Sequence, residues 1–354
     1  MSAAASDDAN ESVRLIRDSA AAIAPPGGDT RRIRALRFQD PGFDRGVWGT
    51  MCEMGWPGLL VAEADGGSAL GMREYCALAE QLGAGLAPEP LIPASMAARL
   101  LSGADLAALL AGRHLVLPAW QERPNSLDTV GDTVIAGGKV TGRKCFVPMA
   151  AGADAFVVSG QGGLALVARG APGLSIALEQ TQDGGNFGTL SFADTPCTML
   201  AGDMVAALEP AALATAAYLL GVMDRAFALT LDYLKTRHQF GRPIGSFQAL
   251  QHRAADLKIQ VALTRAGVES AAAAIDAGAT GALALAAVSR AKARAADAAM
   301  LVTRQAIQLH GGIGYTDEAD PGLYLRKAMV LSNLYGSAAL HRARYAANAA
   351  DQDD

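Results

Sequence analysis

Beyond Leu208 the sequence holds four long segments, roughly 210–236, 246–277, 281–309 and 321–348, in which apolar residues recur three or four apart. Helices of this length with one apolar face do not stay single in water, and four of them bury that face by packing as a bundle. Pro210 suits a first helical turn, Ser246 an N-cap and Gly311-Gly312 a helix stop. Two other zones precede the bundle. Residues 11–112 alternate helical stretches (44–54, 72–82 and 94–110) with breaks at Gly55-Trp56-Pro57 and Gly66-Gly67. Residues 114–208 carry short β-prone runs, among them Thr133-Val134-Ile135 and Ala155-Phe156-Val157-Val158, separated by Gly- and Asp-rich turns. Such spacing predicts an antiparallel barrel or sandwich. The expected fold class is therefore α+β: an N-terminal helical domain (1–113), a middle antiparallel β-domain (114–207) and a C-terminal four-helix bundle (208–354).

Size and charge narrow the function classes. A chain of 354 residues, 51% hydrophobic and 18% charged, is a compact chain with material for two or three domains. A net charge of −5 and a pI near 5.6 give no electrostatic ground for nucleic acid or an anionic membrane as partner. The first ten residues lack the basic and apolar regions of a secretory leader. The longest uncharged helical run, 210–223, is short of the roughly 20 residues that span a bilayer. Cys52, Cys76, Cys145 and Cys197 are scattered without metal-ligand spacing, and we expect reduced, buried thiols in a cytoplasmic protein.

Two stretches carry specific chemistry. One is Tyr233-Leu-Lys-Thr-Arg237-His-Gln239-Phe240-Gly241-Arg-Pro243-Ile244-Gly-Ser-Phe247-Gln248, between the first two C-terminal segments. The other, Gln308-Leu309-His310-Gly311-Gly312-Ile313-Gly314-Tyr315, ends the third. In this order, with Gly55-Trp56-Pro57-Gly58-Leu59 and Glu80-Gln81-Leu82-Gly83 upstream, they resemble the acyl-CoA dehydrogenase family over essentially the whole chain. The resemblance implies that these segments hold the pyrophosphate and adenine of FAD across a subunit interface. The implied cofactor-binding residues are Arg237, Gln239, Phe240, Gln248, Gln308, Gly311 and Gly312. A guanidinium suits a pyrophosphate because it donates two parallel charge-assisted hydrogen bonds. Glycines let backbone approach a ligand without a Cβ in the way. The blander alternative is that Arg237 pairs with a surface carboxylate and the glycines only cap a helix.

The chain departs from the family where a carboxylate should remove the acyl α-proton. Family members carry that glutamate in a turn of the last helix, which here reads Leu334-Tyr335-Gly336-Ser337, with no acidic residue from Leu331 to Ala350. The other family position falls on Ala211, and the arginine that follows it in relatives falls on Ala212. Glu209, two residues from Ala211, lies about 200° round the helix and reads as an N-terminal charge favoured by the dipole. In the β region, Pro118-Ala119-Trp120-Gln121-Glu122-Arg123-Pro124 and Phe146-Val147-Pro148 replace the hydroxyl-bearing loops that flank the flavin in relatives. Trp120 and Phe146 read as core packing.

This division resembles the non-catalytic, β-type subunit of heteromeric α2β2 acyl-CoA dehydrogenases of bacterial steroid degradation. It implies a catalytic partner subunit that holds the acyl-CoA, and a steroid-derived CoA thioester as substrate. Two alternatives stay open: a homomeric flavoenzyme using Glu209, Asp203 or Glu318 as base, and a non-enzymatic scaffold of the same fold.

Overall fold

The computed structural model describes residues 3–25 and 27–349, with side chains from residue 11 onward. The leader-free reading of the first ten residues, and the boundary at 354, rest on residues whose side chains or backbone lie outside the described ones.

Helices α1 (Ala3–Ala20), α2 (Arg31–Leu36), α3 (Arg45–Glu53), α4 (Met72–Ala84), α5 (Leu91–Ala98) and α6 (Gly103–Leu110) come first. Eight strands follow: β1 (Val116–Ala119), β2 (Val134–Ala136), β3 (Lys139–Pro148), β4 (Ala155–Gly160), β5 (Gly163–Ala168), β6 (Leu174–Gln180), β7 (Asn186–Pro196) and β8 (Thr198–Leu200). The chain then returns to helix with α7 (Met204–Thr236), a two-residue-strand hairpin of β9 (His238–Gln239) and β10 (Arg242–Pro243), α8 (Gln248–Asp276), α9 (Gly281–His310), α10 (Pro321–Leu331) and α11 (Ala338–Asn348).

The α+β order stands as expected, and four details are corrected. The helix expected over 94–110 is two helices, because Ser102 is extended and Gly103 has φ +55°. α7 starts at Met204, since Asp203 caps it by accepting from the amides of Val205 and Ala206 (2.8 and 3.2 Å). Pro210 is therefore inside the helix, and Glu209 lies in its second turn and not at its N-terminus. Ser246 does not cap α8: its hydroxyl donates to the Pro243 carbonyl (2.7 Å), and Phe247 stands at the N-cap with no side-chain bond. The last segment breaks into α10 and α11 at residues 332–337.

Two compact units emerge from the contacts: Met1–Thr30, Met72–Ala87 and Leu213–Asp354 in one, Arg31–Gly71 and Pro88–Ala212 in the other. The second unit holds two four-stranded sheets, ordered β1-β4-β5-β8 and β2-β3-β7-β6. All the ladders are antiparallel except β1–β4, which is parallel. This corrects a wholly antiparallel expectation: β1 reaches β4 only after β2 and β3 have been laid down in the other sheet, so no hairpin joins them. β7 and β8 had no counterpart in the sequence reading, because Gly188, Asp194 and Pro196 look like turn residues. Cys52 and Cys76 are buried, but Cys145 and Cys197 are partly exposed, and all four are free.

In the first unit α1 packs on α4, α4 on α8, and α9 against α8, α10 and α11. α7 is long and apolar enough to cross a membrane by length and composition, but 78% of its apolar window is buried against protein, as in a core helix. It meets α4 backbone to backbone. A Cβ on Gly221 would run into the Glu80 carbonyl, and one on Gly83 into that of Tyr218. The Tyr218 hydroxyl closes the contact by donating to the Ala87 carbonyl (2.9 Å).

Gly221→Ala and Gly83→Ala should each cost roughly 1–3 kcal/mol or more, because two helices must separate to admit a methyl group. Gly267→Ala is the control: it lies within α8 with nothing within 4 Å of the added Cβ. There alanine should stabilise by about 0.5–1 kcal/mol through helix propensity. Urea unfolding of the three variants checks both signs.

Candidate functional site

α7, α8 and α9 run up, down and up through the first unit, so the end of α7, the start of α8 and the end of α9 fall at one end of the bundle. Every residue singled out as cofactor-binding lies there. Arg237, Gln239 and Phe240 belong to the α7–α8 connection, where Arg242 pairs with Gln239 across the small hairpin. Phe240 (φ +55°) and Gly241 (φ +78°) form its tip, and Phe240 is 89% exposed. Gln248 is the first residue of α8, while Gln308, Gly311 and Gly312 end α9. All seven are exposed.

The two motifs are joined by a ring contact that the sequence reading missed. Tyr233 of α7 stacks on His310 of α9, with centroids 4.4 Å apart and planes at 23°. Arg242 adds a second contact, its guanidinium lying 4.1 Å over the Phe247 ring, while Phe240 meets the same ring edge-on at 6.1 Å. The only signal in the sequence was an aromatic or imidazole beside each motif.

Three features make this end receptive to an anion. Arg237 is exposed, and among the described residues it forms no ion pair. α8 begins without a side-chain cap, so its first amides keep their capacity to bind an anion. Gly311 takes φ +65°, and a Cβ on Gly311 or Gly312 would meet nothing within 4 Å. The backbone there faces open space, as a ligand cradle requires.

The turn expected to carry a catalytic glutamate is filled with structural bonds. Tyr335 (φ +57°) and Gly336 (φ +105°) both adopt left-handed backbone. Beneath them the fully buried Lys292 of α9 donates to the carbonyls of Leu331 (3.3 Å), Ser332 (3.0 Å) and Gly336 (3.0 Å). Burial pushes its ammonium down to about 7, but three carbonyl oxygens match its three N–H groups and favour the charged form. His341, held down to about 3 by burial and then by Lys292, sits 2.8 Å from the Tyr335 carbonyl through Nε2. At the other family position Ala211 and Ala212 are both buried, in the second unit. Of the alternative bases, Asp203 is occupied as a helix cap and Glu318 is exposed.

The β loop that replaces the family's hydroxyl donors is likewise committed. Lys144 of β3, with no exposed side-chain surface, donates to the Trp120 carbonyl (3.1 Å) and the Glu122 carboxylate (2.6 Å). Glu122 also accepts from the amides of Asp132 (2.6 Å) and Thr133 (3.1 Å). Trp120 is buried, as expected; Phe146 is only part-buried, on a β-bulge at φ +56°, edge-on to Phe187 at 6.0 Å. The bulge turns its side chain out of the core.

Comparison with known proteins agrees on the family. The profile for the acyl-CoA dehydrogenase C-terminal domain matches residues 202–350, and that for the N-terminal domain matches 10–103. The chain is 31% identical over 334 residues to the acyl-CoA dehydrogenase IpdE2 of Mycolicibacterium smegmatis, covering 92% of this chain and 95% of that one. Among solved structures it resembles the Tcur3481-Tcur3483 steroid ACAD G363A variant (30% identity, TM-score 0.85, 97% of each chain). It also resembles the ChsE4-ChsE5 complex from Mycobacterium tuberculosis (25% identity, TM-score 0.83, 96% of each chain).

Two outcomes follow from this geometry. Gly336→Glu should create no acyl-CoA turnover and should cost about 1–3 kcal/mol, because φ +105° strains any side chain there; steady-state assay and urea unfolding read both. Glu122→Gln addresses the β loop. Burial alone would raise Glu122, but bonds from Lys144 and the Thr133 and Asp132 amides outweigh it and hold the carboxyl at about 2, down from 4.5. A depressed folded value means that its stabilisation is complete above pH 4.5 and lost as pH falls toward 2. The variant should therefore be roughly 3 kcal/mol less stable at neutral pH, and the gap should close across that acid window in urea titrations.

Proposed function

The chain belongs to the acyl-CoA dehydrogenase family, and we propose that within it this is the non-catalytic subunit of a heteromeric enzyme, lending FAD-binding residues to a catalytic partner. The observation that carries the reading is a contrast within one unit. Arg237 stands exposed at the bundle end and forms no ion pair among the described residues, while the turn at Gly336 holds no acid and is locked on Lys292. Loss without selection would not spare one site and rebuild the other.

FAD supplies the hydride acceptor for α,β-desaturation of an acyl-CoA. Arg237 and the uncapped start of α8 would receive its pyrophosphate. Gly311 and Gly312 would let backbone close on it, Gln239, Gln248 and Gln308 would supply neutral hydrogen bonds, and Phe240 an apolar wall. The α-proton would pass to a carboxylate of the partner, which also binds the acyl-CoA. An α2β2 assembly in the cytoplasm fits this division. The names of the similar structures, a steroid ACAD with two designations and a two-component complex, support a partner chain and a steroid-derived CoA thioester.

Expression alone and with a dehydrogenase-like chain encoded nearby tests the reading. Alone, the chain should be colourless and inactive; with the partner, yellow and active. A flavin-loaded, active homomer would support an atypical base instead, and a complex that never binds flavin would support a scaffold. In the active complex Arg237→Ala removes charge-assisted bonds worth roughly 1.5–3 kcal/mol. FAD affinity should fall by roughly one to two orders of magnitude, and added FAD should restore much of the rate. Unchanged flavin content would end the trans-binding model.

A further inference from the structure

Tyr233 and His310 come from two helices and have no role of their own in the proposed chemistry, yet each adjoins one half of the candidate site. Tyr233 stands one helical turn before Arg237, and its carbonyl accepts the Arg237 amide (2.8 Å). His310 is the last residue of α9 and leads directly into Gly311. The two side chains meet in a ring stack, with centroids 4.4 Å apart.

We propose that the Tyr233–His310 stack is a positioning joint that sets the spacing between Arg237 and the Gly311–Gly312 turn, and through it the affinity of this bundle end for the diphosphate of FAD. The proposal rests on the cofactor reading given above.

His310 is held from three directions. Its Nδ1 lies 2.7 Å from the Ala306 carbonyl, so that nitrogen carries the proton and donates. Its ring lies on Tyr233, and its Cβ packs beside Gly314, where an added Cβ would come within 3.1 Å of it and 2.6 Å of the Ile307 carbonyl. Gly314 thus lets the 311–315 turn fold back onto the helix end. With 8% of its surface exposed, His310 acts through the adjoining turn and does not reach a ligand. Burial lowers its basicity, with the Ala306 contact opposing, so at neutral pH the ring is uncharged. An uncharged ring stacked nearly parallel on a phenol behaves as an aromatic spacer. Phenylalanine should replace it; a non-planar side chain should not.

The spacing matters because a diphosphate is bound by two rigid groups at once. Arg237 presents a planar fork, and the glycine turn presents backbone amides that cannot extend to meet the ligand. If the end of α9 shifts against α7, one of the two contacts lengthens, however intact each motif is by itself.

The test uses the complex with its catalytic partner, stripped of flavin and titrated with FAD by fluorescence quenching. His310→Ala should weaken FAD by roughly five- to tenfold, and His310→Phe should stay within about twofold of the parent. Gel filtration should show the same assembly for all variants. Should His310→Ala fail to assemble, His310→Leu against His310→Phe asks the same question, since leucine fills the space without stacking. Leucine is expected to weaken FAD while phenylalanine does not. Equal affinity in His310→Ala and the parent, or in His310→Leu and His310→Phe, would overturn the joint, provided Arg237→Ala still weakens FAD. If Arg237→Ala leaves FAD affinity unchanged as well, the cofactor reading falls first, so the two failures are distinguishable.

Discussion

The contact between α4 and α7 at Gly83 and Gly221 fixes where everything else in the first unit can stand. Side chains usually keep helix axes 8–10 Å apart, and removing them from both partners lets carbonyls pack against bare Cα atoms. Glu80, whose carbonyl lies against Gly221, then uses its carboxylate to hold Arg17 of α1 (2.9 Å) and Arg265 of α8 (2.7 Å). Arg265 returns to α7 through Asp224 (3.2 Å). Four helices are thereby referenced to one residue. Because α7 is seated this closely, its C-terminal end, and so Arg237, is placed by the core and not by the exposed hairpin.

The same economy governs the two buried lysines. Lys292 and Lys144 lie far from bulk water, where an unpaired ammonium is severely penalised. Among the described residues Lys292 has three backbone carbonyls and no carboxylate as partners; Lys144 takes one carbonyl and Glu122. In each case the lysine fastens a non-repetitive segment, residues 331–336 or 120–122, onto a regular element, α9 or β3. A segment whose carbonyls are pinned from beneath cannot swing to meet a substrate.

Much of this was readable from residue order alone. The apolar periodicity placed α7, α8 and α9 to within a few residues, and alternation located most strands. The misses share a cause. Helix starts were assigned to the nearest proline or serine, whereas the deciding group was a carboxylate about two turns earlier (Asp203), or no side chain at all (Phe247). β7 was hidden because glycine and proline inside a strand carry the same signal as in a turn. In the candidate site, the motif residues and the acid-free turn were visible as letters. The Tyr233–His310 stack was not, because 77 positions separate its members and only the helix packing brings them together.

That stack also bears on why the end of a helix bundle keeps its shape. A general base needs only one carboxylate in reach, so a single replacement suffices to remove one. The three helix ends that carry the candidate cofactor residues are placed by the packing of the bundle. The packing that places those helix ends, Gly83 against Tyr218 and Gly221 against Glu80, also serves stability, and selection for stability alone would keep it. Retained geometry at the bundle end is therefore weak evidence for function by itself. An exposed arginine that forms no ion pair among the described residues and an 89% exposed phenylalanine at the hairpin tip are stronger, because neither contributes to the packed core.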